Sequence, residues 1–336
     1  MKKTLLITGG TGYIGSHAVV AFSQLWIKVV IVDNLSNSNI WVLENIKNIL
    51  WYEVDFFHVD LRDAVSLKKI FETYHFDGVL HFAGLKSVWE STSNPWEYFD
   101  VNISGSLKLF EMMEKFQVKN IIFSSSATVY QAKNDITWWY TETDEVWNCS
   151  NPYGTTKHII EQILTDYSKF KWFQVANLRY FNPIWAHPSG KIGENPNGIP
   201  NNLLPILMQV AKWVREKIQV FWNDYPTPDG SGIRDYIDVN DLIDWHIQAW
   251  KYLENTDTWI FEIFNLGTGY GTSVLEMITK TQQVTETNIS YEITQRRPWD
   301  LAEVYCNPNK AKNILWWKPQ ISIEESIQNN WKFINK

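Results

Sequence analysis

The sequence predicts an α/β protein: a doubly wound parallel sheet that binds a dinucleotide, joined to a smaller α+β domain. Three observations carry this. A glycine-rich turn lies between an apolar strand and an apolar-periodic helix at the N-terminus. Strand and helix patterns then alternate as far as Tyr180. After Tyr180 the alternation stops in a stretch punctuated by Pro183, Pro188, Pro196 and Pro200.

Thr4 to Thr8 read as a buried strand, followed by Gly9-Gly10-Thr11-Gly12-Tyr13-Ile14-Gly15 and a helix from about Tyr13 to Leu25. Such a turn presents backbone N–H groups and a helix N-terminus to a pyrophosphate. Gly9 and Gly12 permit the tight turn and close approach, and Gly15 lets helix and sheet pack closely. The next strand, Lys28 to Val32, ends in Asp33, about 20 residues on, where a carboxylate meets the hydroxyls of an adenosine ribose. An acid there repels a 2′-phosphate, so NAD is expected rather than NADP.

A strand over Tyr52–Val59 delivers Asp60 to the ligand edge of the sheet. Two roles are open to it: holding the adenine amine, or capping the helix Ala64–Tyr74. The strand Gly78–Phe82 leads into Ala83-Gly84-Leu85-Lys86, where small residues let a dinucleotide pass close to the backbone. Lys86 could meet a phosphate or ribose, or simply be solvated. His81 reads as structural, because no metal-ligand partners surround it. A helix from about Pro95 to Phe116 carries Asn102, and the strand Asn120–Phe123 delivers Ser124-Ser125-Ser126.

Tyr153 and Lys157 open the next helix, four residues apart and therefore on one face. An ammonium beside a phenol favours the phenolate. Lowering a tyrosine from ~10 to neutrality needs roughly 4 kcal/mol, which a lysine and a cationic nicotinamide ring together can supply. The pair thus has the makings of a proton acceptor near neutral pH.

Bulk properties exclude other classes. The net charge is −7 and there is no basic run, so nucleic acid is not an expected partner. No apolar segment approaches the ~18 residues of a membrane span. The apolar run after Met1-Lys2-Lys3 stops at Gly9-Gly10, which suits a buried strand better than a signal peptide. Cys149 and Cys306 have no metal spacing and suggest no disulfide framework, so a cytoplasmic setting is expected.

Ten motifs carry a resemblance: TGGTGYIGS, VDNLSNS, HFAGLKSV, FSSSATVY, NPYGTTK, LRYFNP, AHPSG, GIPNNLLP, NDYPTPDGSGIRDYI and FNLGTG. In this order, from Thr4 to the C-terminus, the chain resembles the UDP-glucose 4-epimerase family of extended short-chain dehydrogenases/reductases. The resemblance implies a Rossmann domain that binds NAD, a UDP-sugar substrate, no metal and a homodimer. It implies Tyr153 as catalytic base, Lys157 as its partner on the nicotinamide ribose, and Ser126 on the sugar 4-hydroxyl. The implied NAD set is Gly9, Gly12, Tyr13, Ile14, Gly15, Asp33, Asn34, Asp60, Leu61, Phe82, Ala83, Lys86, Asn102, Ser124, Tyr153, Lys157 and Tyr180. The implied UDP-sugar set is Lys86, Ser126, Tyr153, Asn182, Asn202, Leu203, Phe221, Arg234, Arg297 and Asp300. Two arginines from separate segments suit a diphosphate clamp, though each alone could be a surface ion pair. The small Val304 implies room for an N-acetylated sugar. Alternatives are another nucleotide-sugar epimerase or dehydratase, or a non-catalytic NAD sensor on the same fold. A 4,6-dehydratase needs an acid pair after the serine, where this chain has Ala127-Thr128.

In the second half a helix is expected from about Asn202 to Val214, and Tyr236–Trp250 reads as a strand end and helix returning to the first domain. The expected domains are residues 1–180 with 233–265 for NAD, and 181–232 with 266–336 for the UDP-sugar, the active site lying in the cleft between them.

The chain has 19 Trp and only 16 Gly, although glycine averages about 7% of ordinary chains. Trp26, Trp89, Trp185, Trp213, Trp222, Trp245, Trp299 and Trp316 stand where the resembled pattern has glycine. Trp26 and Trp316 also follow helical patterns, where a left-handed residue ends the helix. Glycine encoded by a reassigned UGA codon would account for this clustering; the alternatives, an unusual divergent enzyme or a decayed copy, do not account for substitutions that collect on glycine positions while the catalytic motifs stand intact. Trp317 and Trp331 read as true tryptophans; Trp96, Trp138, Trp139, Trp147 and Trp259 are left undecided.

Overall fold

The computed structural model describes residues 2–133, 139–195, 200, 202–221, 223–256, 258–296 and 301–335. The chain divides into two compact units. The first comprises Met1–Gln131, Asp144–Arg179 and Ile243–Phe264; the second Ala132–Thr143, Tyr180–Leu242 and Asn265–Lys336.

The chain opens with β1 (Thr4–Thr8), α1 (Tyr13–Gln24), β2 (Lys28–Asp33), α2 (Trp41–Leu50), β3 (Asp55–His58), α3 (Ala64–Thr73) and β4 (Gly78–His81). Then come α4 (Val88–Ser93), α5 (Pro95–Tyr98), a π-helical turn Phe99–Ser104, α6 (Gly105–Lys115) and β5 (Asn120–Ser126). The strands run together as β12-β7-β5-β4-β1-β2-β3, where β7 is Gln174–Tyr180 and β12 is Ile260–Leu266. From β3 to β5 the pairings are parallel, with Leu6 opposite Val30 and Val79. Strand order reverses between β1 and β4, the switch point at which such sheets bind ligands. Inside the strands TLLIT and KVVIVD the residues Leu5, Leu6 and Ile7, and Val29, Val30, Ile31 and Val32, are apolar on both faces because helices cover both sides of the sheet. Their core contains Leu6, Val30, Leu67, Phe110, Ile121, Leu164 and Val175.

Helix starts follow local chemistry. Asp63 caps α3 by accepting from the backbone N–H of Val65 and Ser66, both at 3.1 Å. Of the two roles open to Asp60, the capping one is filled by Asp63 instead. Asn151 caps α7 (Pro152–Lys171), accepting from Gly154 N–H at 2.9 Å, with Pro152 in the first turn where no N–H is needed.

Several boundaries differ from the sequence reading. The strand expected over 52–59 is confined to Asp55–His58, and α2 and α4 had no sequence reading. The single helix expected from Pro95 to Phe116 is broken by the π-helical turn. There the Asn102 side chain is drawn to the loop after β4, and Gly105 lies where a Cβ would come within 3.3 Å of Leu61. Periodicity does not show a bulge fixed by such tertiary bonds.

The second unit contains β6 (Trp139–Tyr140), β8 (Asn182–Ile184), α8 (Leu203–Ala211), β9 (Ile218–Phe221), β10 (Ile233–Arg234) and β11 (Tyr236–Asp238). Helix α9 (Val239–Glu254) follows and leads back to the first unit. After β12 come β13 (Thr272–Ser273), α10 (Val274–Thr285), β14 (Tyr291–Thr294), β15 (Glu303–Cys306), α11 (Asn309–Leu315) and α12 (Ile323–Ile334). Its core packs Leu204, Leu207 and Met208 of α8 with Met277, Ile278 and Ile327. Buried Asp235 ties the strands to the following loop. It accepts from Thr268 N–H (2.8 Å), Thr268 Oγ1 (2.7 Å), Gly269 N–H (3.0 Å) and Cys306 N–H (3.2 Å). Burial pushes its carboxyl upward and these donors act against that.

Nine described non-glycine residues have positive φ, and six are tryptophans: Trp26 (63°), Trp51 (66°), Trp172 (63°), Trp185 (99°), Trp213 (58°) and Trp316 (53°). Trp26, Trp51, Trp172, Trp213 and Trp316 immediately follow the ends of α1, α2, α7, α8 and α11 or their cap residues. All five are exposed, from 66% at Trp172 to 89% at Trp51. Trp51 and Trp172 were not among the tryptophans singled out from the sequence. Trp89 and Trp245 lie inside α4 and α9 instead, while Trp222 and Trp299 fall outside the described residues. An L-residue in the left-handed region costs about 1–2 kcal/mol, whereas glycine adopts it readily. Replacing Trp51 or Trp172 by glycine is therefore expected to stabilise the chain by on the order of 1 kcal/mol each. Urea titration of the two variants measures this, and loss of stability in both contradicts it.

Candidate active site

The turn between β1 and α1 is shaped by backbone proximity. Gly9 has φ +72° and donates its N–H to Val32 O at 2.8 Å. A Cβ on Gly9 would meet Ala83 N at 2.7 Å, and one on Gly15 would meet Gly9 O at 2.1 Å. Only glycine leaves this turn folded against both the helix and the loop after β4. Gly12 is extended (φ −71°, ψ 175°) and precedes the first turn of α1, which contains Tyr13 and Ile14. The N-terminus of this helix suits a diphosphate.

Asp33 ends β2 and organises the same turn. One oxygen accepts from Thr11 N–H (3.1 Å) and the other from Leu35 N–H (2.9 Å). Thr11 Oγ1 and Ser38 Oγ lie 2.7 Å apart, and Ser38 reaches Asp33 at 3.4 Å. Thr11 and Ser38 were not predicted; both lie within motifs visible in the sequence, but their hydroxyl partners are tertiary.

Asn34 Nδ2 donates to Asp60 at 2.9 Å. Asp60 is chelated by Arg62, whose Nε and Nη2 lie at 2.9 and 2.7 Å, and Arg62 also reaches Asp100 at 2.6 Å. The Arg62 hydrogen bonds hold the Asp60 carboxyl well below the usual range. Asp60 is therefore a carboxylate with acceptor capacity, and Leu61 beside it is buried.

Around β4, a buried chain of hydroxyls and imidazole joins the sheet to the helices. Thr8 Oγ1 lies 2.7 Å from His81 Nδ1, His81 Nε2 lies 2.9 Å from Ser106 Oγ, and Ser106 donates to Asn102 O at 2.5 Å. Burial, followed by the Lys157 charge, pulls His81 down to about 3, so it stays neutral. This agrees with its structural reading. Asn102 accepts from Leu85 N–H (2.7 Å) and donates to Leu85 O and Thr156 Oγ1, both at 3.0 Å. Its side chain thus clamps the 83–86 loop to α7. Phe82 N–H donates to Thr8 O at 3.1 Å, Ala83 N–H reaches Thr8 Oγ1 at 3.4 Å, and Lys86 Nζ sits 5.7 Å from the Tyr13 ring centroid.

The reactive cluster forms where α7 meets the end of β5. Lys157 Nζ donates to Ser124 O at 2.7 Å and stands 5.9 Å from the Tyr153 ring centroid and 4.9 Å from that of Phe123. Ser126 Oγ accepts from Thr128 N–H (3.2 Å) and Thr128 Oγ1 (3.0 Å), so its own proton is directed elsewhere. Burial pushes the Tyr153 phenol up to about 12, and a hydrogen bond from Ser126 acts against this. Burial pulls Lys157 down to about 8, with the Glu161 carboxylate opposing. The protein alone therefore leaves Tyr153 protonated at neutral pH. A further positive charge beside the phenol is required to make it a base.

Tyr180 ends β7 and is buried. In the second unit, Asn182 begins β8 opposite Tyr236 of β11, and its N–H donates to Asp235 O at 3.0 Å. Asn202 precedes Leu203, the first residue of α8, and donates to Glu194 at 2.6 Å. Phe221 ends β9 opposite Thr294 of β14. Arg234 lies in β10 opposite Val304 of β15, with Nη1 donating to Ile233 O at 2.7 Å. Arg297 and Asp300 lie outside the described residues. Among the described residues no cluster of metal-ligating side chains occurs, and no helix is long and apolar enough to cross a membrane.

The geometry fits a dinucleotide: a cradle that any Cβ would fill, a helix N-terminus, and a carboxylate at the end of the second strand. Comparison with known proteins agrees. A family model described as GDP-mannose 4,6 dehydratase matches residues 6–330. A UDP-glucose 4-epimerase of Neisseria meningitidis serogroup A is 45% identical over 335 residues, spanning 99% of this chain and 97% of that one. A crystal structure of the Stenotrophomonas maltophila UDP-glucose 4-epimerase with bound NAD and formylated UDP-arabinopyranose superposes with TM-score 0.94 at 41% identity. It covers 99% of this chain and 98% of its own. The Bifidobacterium longum enzyme in complex with NAD+ and UDP gives TM-score 0.94 at 40% identity, with the same coverage.

Gly15→Ala is expected to abolish retention of a dinucleotide, because its Cβ has no room against Gly9 O at 2.1 Å. Absorbance of nucleotide released on denaturing the purified variant checks this; full occupancy would show that the turn can open.

Proposed function

Since the chain belongs to the UDP-glucose 4-epimerase family, we propose that it interconverts UDP-galactose and UDP-glucose through a 4-keto sugar. The observation that carries the reading is the convergence of Ser126, Tyr153 and Lys157 at the end of β5, beside a cradle that fits NAD. When bound, NAD supplies the acceptor and donor for the hydrogen at sugar C4. The chain's own residues handle the proton. Tyr153 takes it from the 4-hydroxyl and later returns it. Ser126, with both acceptor positions filled by Thr128, donates towards the sugar or the phenol. Lys157, anchored on Ser124 O, places positive charge next to Tyr153. That charge and the nicotinamide ring bring the phenol down from about 12.

The UDP portion is assigned to Asn182, Asn202, Leu203, Phe221, Arg234, Arg297 and Asp300. Arginine forks suit a diphosphate and an aromatic ring suits uracil. Tight UDP binding holds the ketone while its two faces are presented in turn, and NAD, regenerated in each turnover, stays bound. Ala127-Thr128, where a dehydratase needs an acid pair, favours epimerisation over loss of water. Val304, small and beside Arg234 in the paired strands, supports acceptance of UDP-N-acetylglucosamine. We also assign the protein to the cytoplasm, as a homodimer through the α5–α6 and α7 helices.

Conversion of UDP-galactose to UDP-glucose without added NAD is the test. It is run on the chain as written and on one with glycine at the eight tryptophans singled out from the sequence. Tyr153→Phe is expected to lower kcat by about 10²–10⁴-fold. No conversion by either folded, NAD-bound protein would move the assignment to another nucleotide sugar or to a non-catalytic sensor. UDP-N-acetylglucosamine in the same assay tests the Val304 reading, which fails if that sugar is not turned over.

A further inference from the structure

Helix α7 carries a third ionisable residue on the face that bears Tyr153 and Lys157. Glu161 is one further turn along and 2% exposed. Its Oε1 accepts from Ser125 Oγ at 2.5 Å and from Arg179 Nε at 3.0 Å, and its Oε2 from Arg179 Nη2 at 2.6 Å. Arg179, in β7, is also 2% exposed, and its guanidinium lies 4.8 Å from the Tyr130 ring centroid. Three consecutive serines of β5 are thus bound by one helix face: Ser124 O by Lys157, Ser125 Oγ by Glu161, and Ser126 Oγ beside Tyr153.

We propose that Glu161 and Arg179 are a positioning pair that fixes the register of α7 against β5, and with it the placement of Tyr153 and Lys157 against Ser126. This rests on the epimerase reading above. A bidentate arginine–carboxylate pair has narrow geometric tolerance, so it resists sliding of the helix along the strand in a way that apolar packing does not. Neither residue reaches the reacting atoms. The groups facing the Lys157 ammonium are Tyr153, His81 and Glu161, with Arg179 balancing Glu161. The carboxylate holds the ammonium charged against its burial.

Removing one partner leaves a buried charge and threatens folding, whereas paired apolar replacement is tolerated in buried ion pairs. The test therefore uses Glu161→Leu with Arg179→Met, and separately Ser125→Ala. We expect both folded variants to keep the KM for UDP-galactose while kcat falls about 10-fold or more, since displacement near 1 Å can cost 10². In the paired variant the alkaline limb of kcat moves to lower pH, because the ammonium loses its carboxylate. Parental kcat and limb in a folded paired variant overturn the proposal. If that variant does not fold, parental kcat in Ser125→Ala overturns it. Ultraviolet titration of the Tyr153 phenol, taken as the difference from Tyr153→Phe, separates this from the function itself. With NAD bound, so that the phenol ionises while Lys157 is still charged, the paired variant should ionise at higher pH than the parent even if the parent converts no UDP-galactose, and an unchanged titration counts against the pair.

A second inference rests on the backbone alone. Trp51 and Trp172 join Trp26, Trp213 and Trp316 as exposed, left-handed residues at helix ends. That position is characteristic of glycine, and no folding force selects the largest side chain for it. We infer that the polypeptide made in its source organism carries glycine at these five positions, through UGA read as glycine. Mass-spectrometric sequencing of peptides from the natural protein should find glycine at 51 and 172; tryptophan at both overturns the inference.

Discussion

The contact between α7 and the end of β5 is the constraint on which the chemistry depends. A lysine ammonium enters a buried site because a backbone carbonyl, Ser124 O, accepts from it at 2.7 Å. The same burial that makes the site dry pulls Lys157 down to about 8 and pushes Tyr153 up to about 12. Low dielectric thus works against the charged forms until opposite or complementary charge is supplied. The chain places a carboxylate one turn behind the lysine and a hydroxyl donor beside the phenol. In the proposed mechanism, the basicity of this tyrosine depends on the occupant of the neighbouring cradle, which couples proton abstraction to cofactor binding by electrostatics.

The cradle depends on a second constraint, the absence of side chains. Gly9 and Gly15 lie where added atoms would meet backbone at 2.7 and 2.1 Å. Asp33 stabilises the same turn through Thr11, so the carboxylate expected to meet a ribose also supports the phosphate-binding backbone. Asn102 performs the equivalent task on the other side of the switch point, holding the loop after β4 to α7. Cofactor site and reactive cluster therefore share a scaffold within the first unit.

The tryptophans conflict with this economy. Six of them occupy positive φ, and the five at helix ends project into solvent rather than pack. Local preference and global fold agree almost everywhere else, as expected of a foldable sequence. Of the nine described non-glycine residues at positive φ, six are tryptophans, and that concentration in the largest side chain marks the residue identity as the anomaly.

The sequence by itself determined the nucleotide-binding half and the chemical class. A glycine turn between strand and helix, an acid at the end of the next strand and a Tyr–Lys pair at helical spacing are local patterns, and local patterns survive in one dimension. Trp26 and Trp316 were legible for the same reason, since a helix end is a local event. Only the tertiary structure decided the π-helical turn at Phe99–Ser104, the clamp made by Asn102, and the chelation of Asp60 by Arg62. It alone joined Glu161 to Arg179 and to Ser125, 36 positions away in the chain. Bonds between buried polar groups form only when packing excludes water and sets their directions, so spacing in the chain does not announce them.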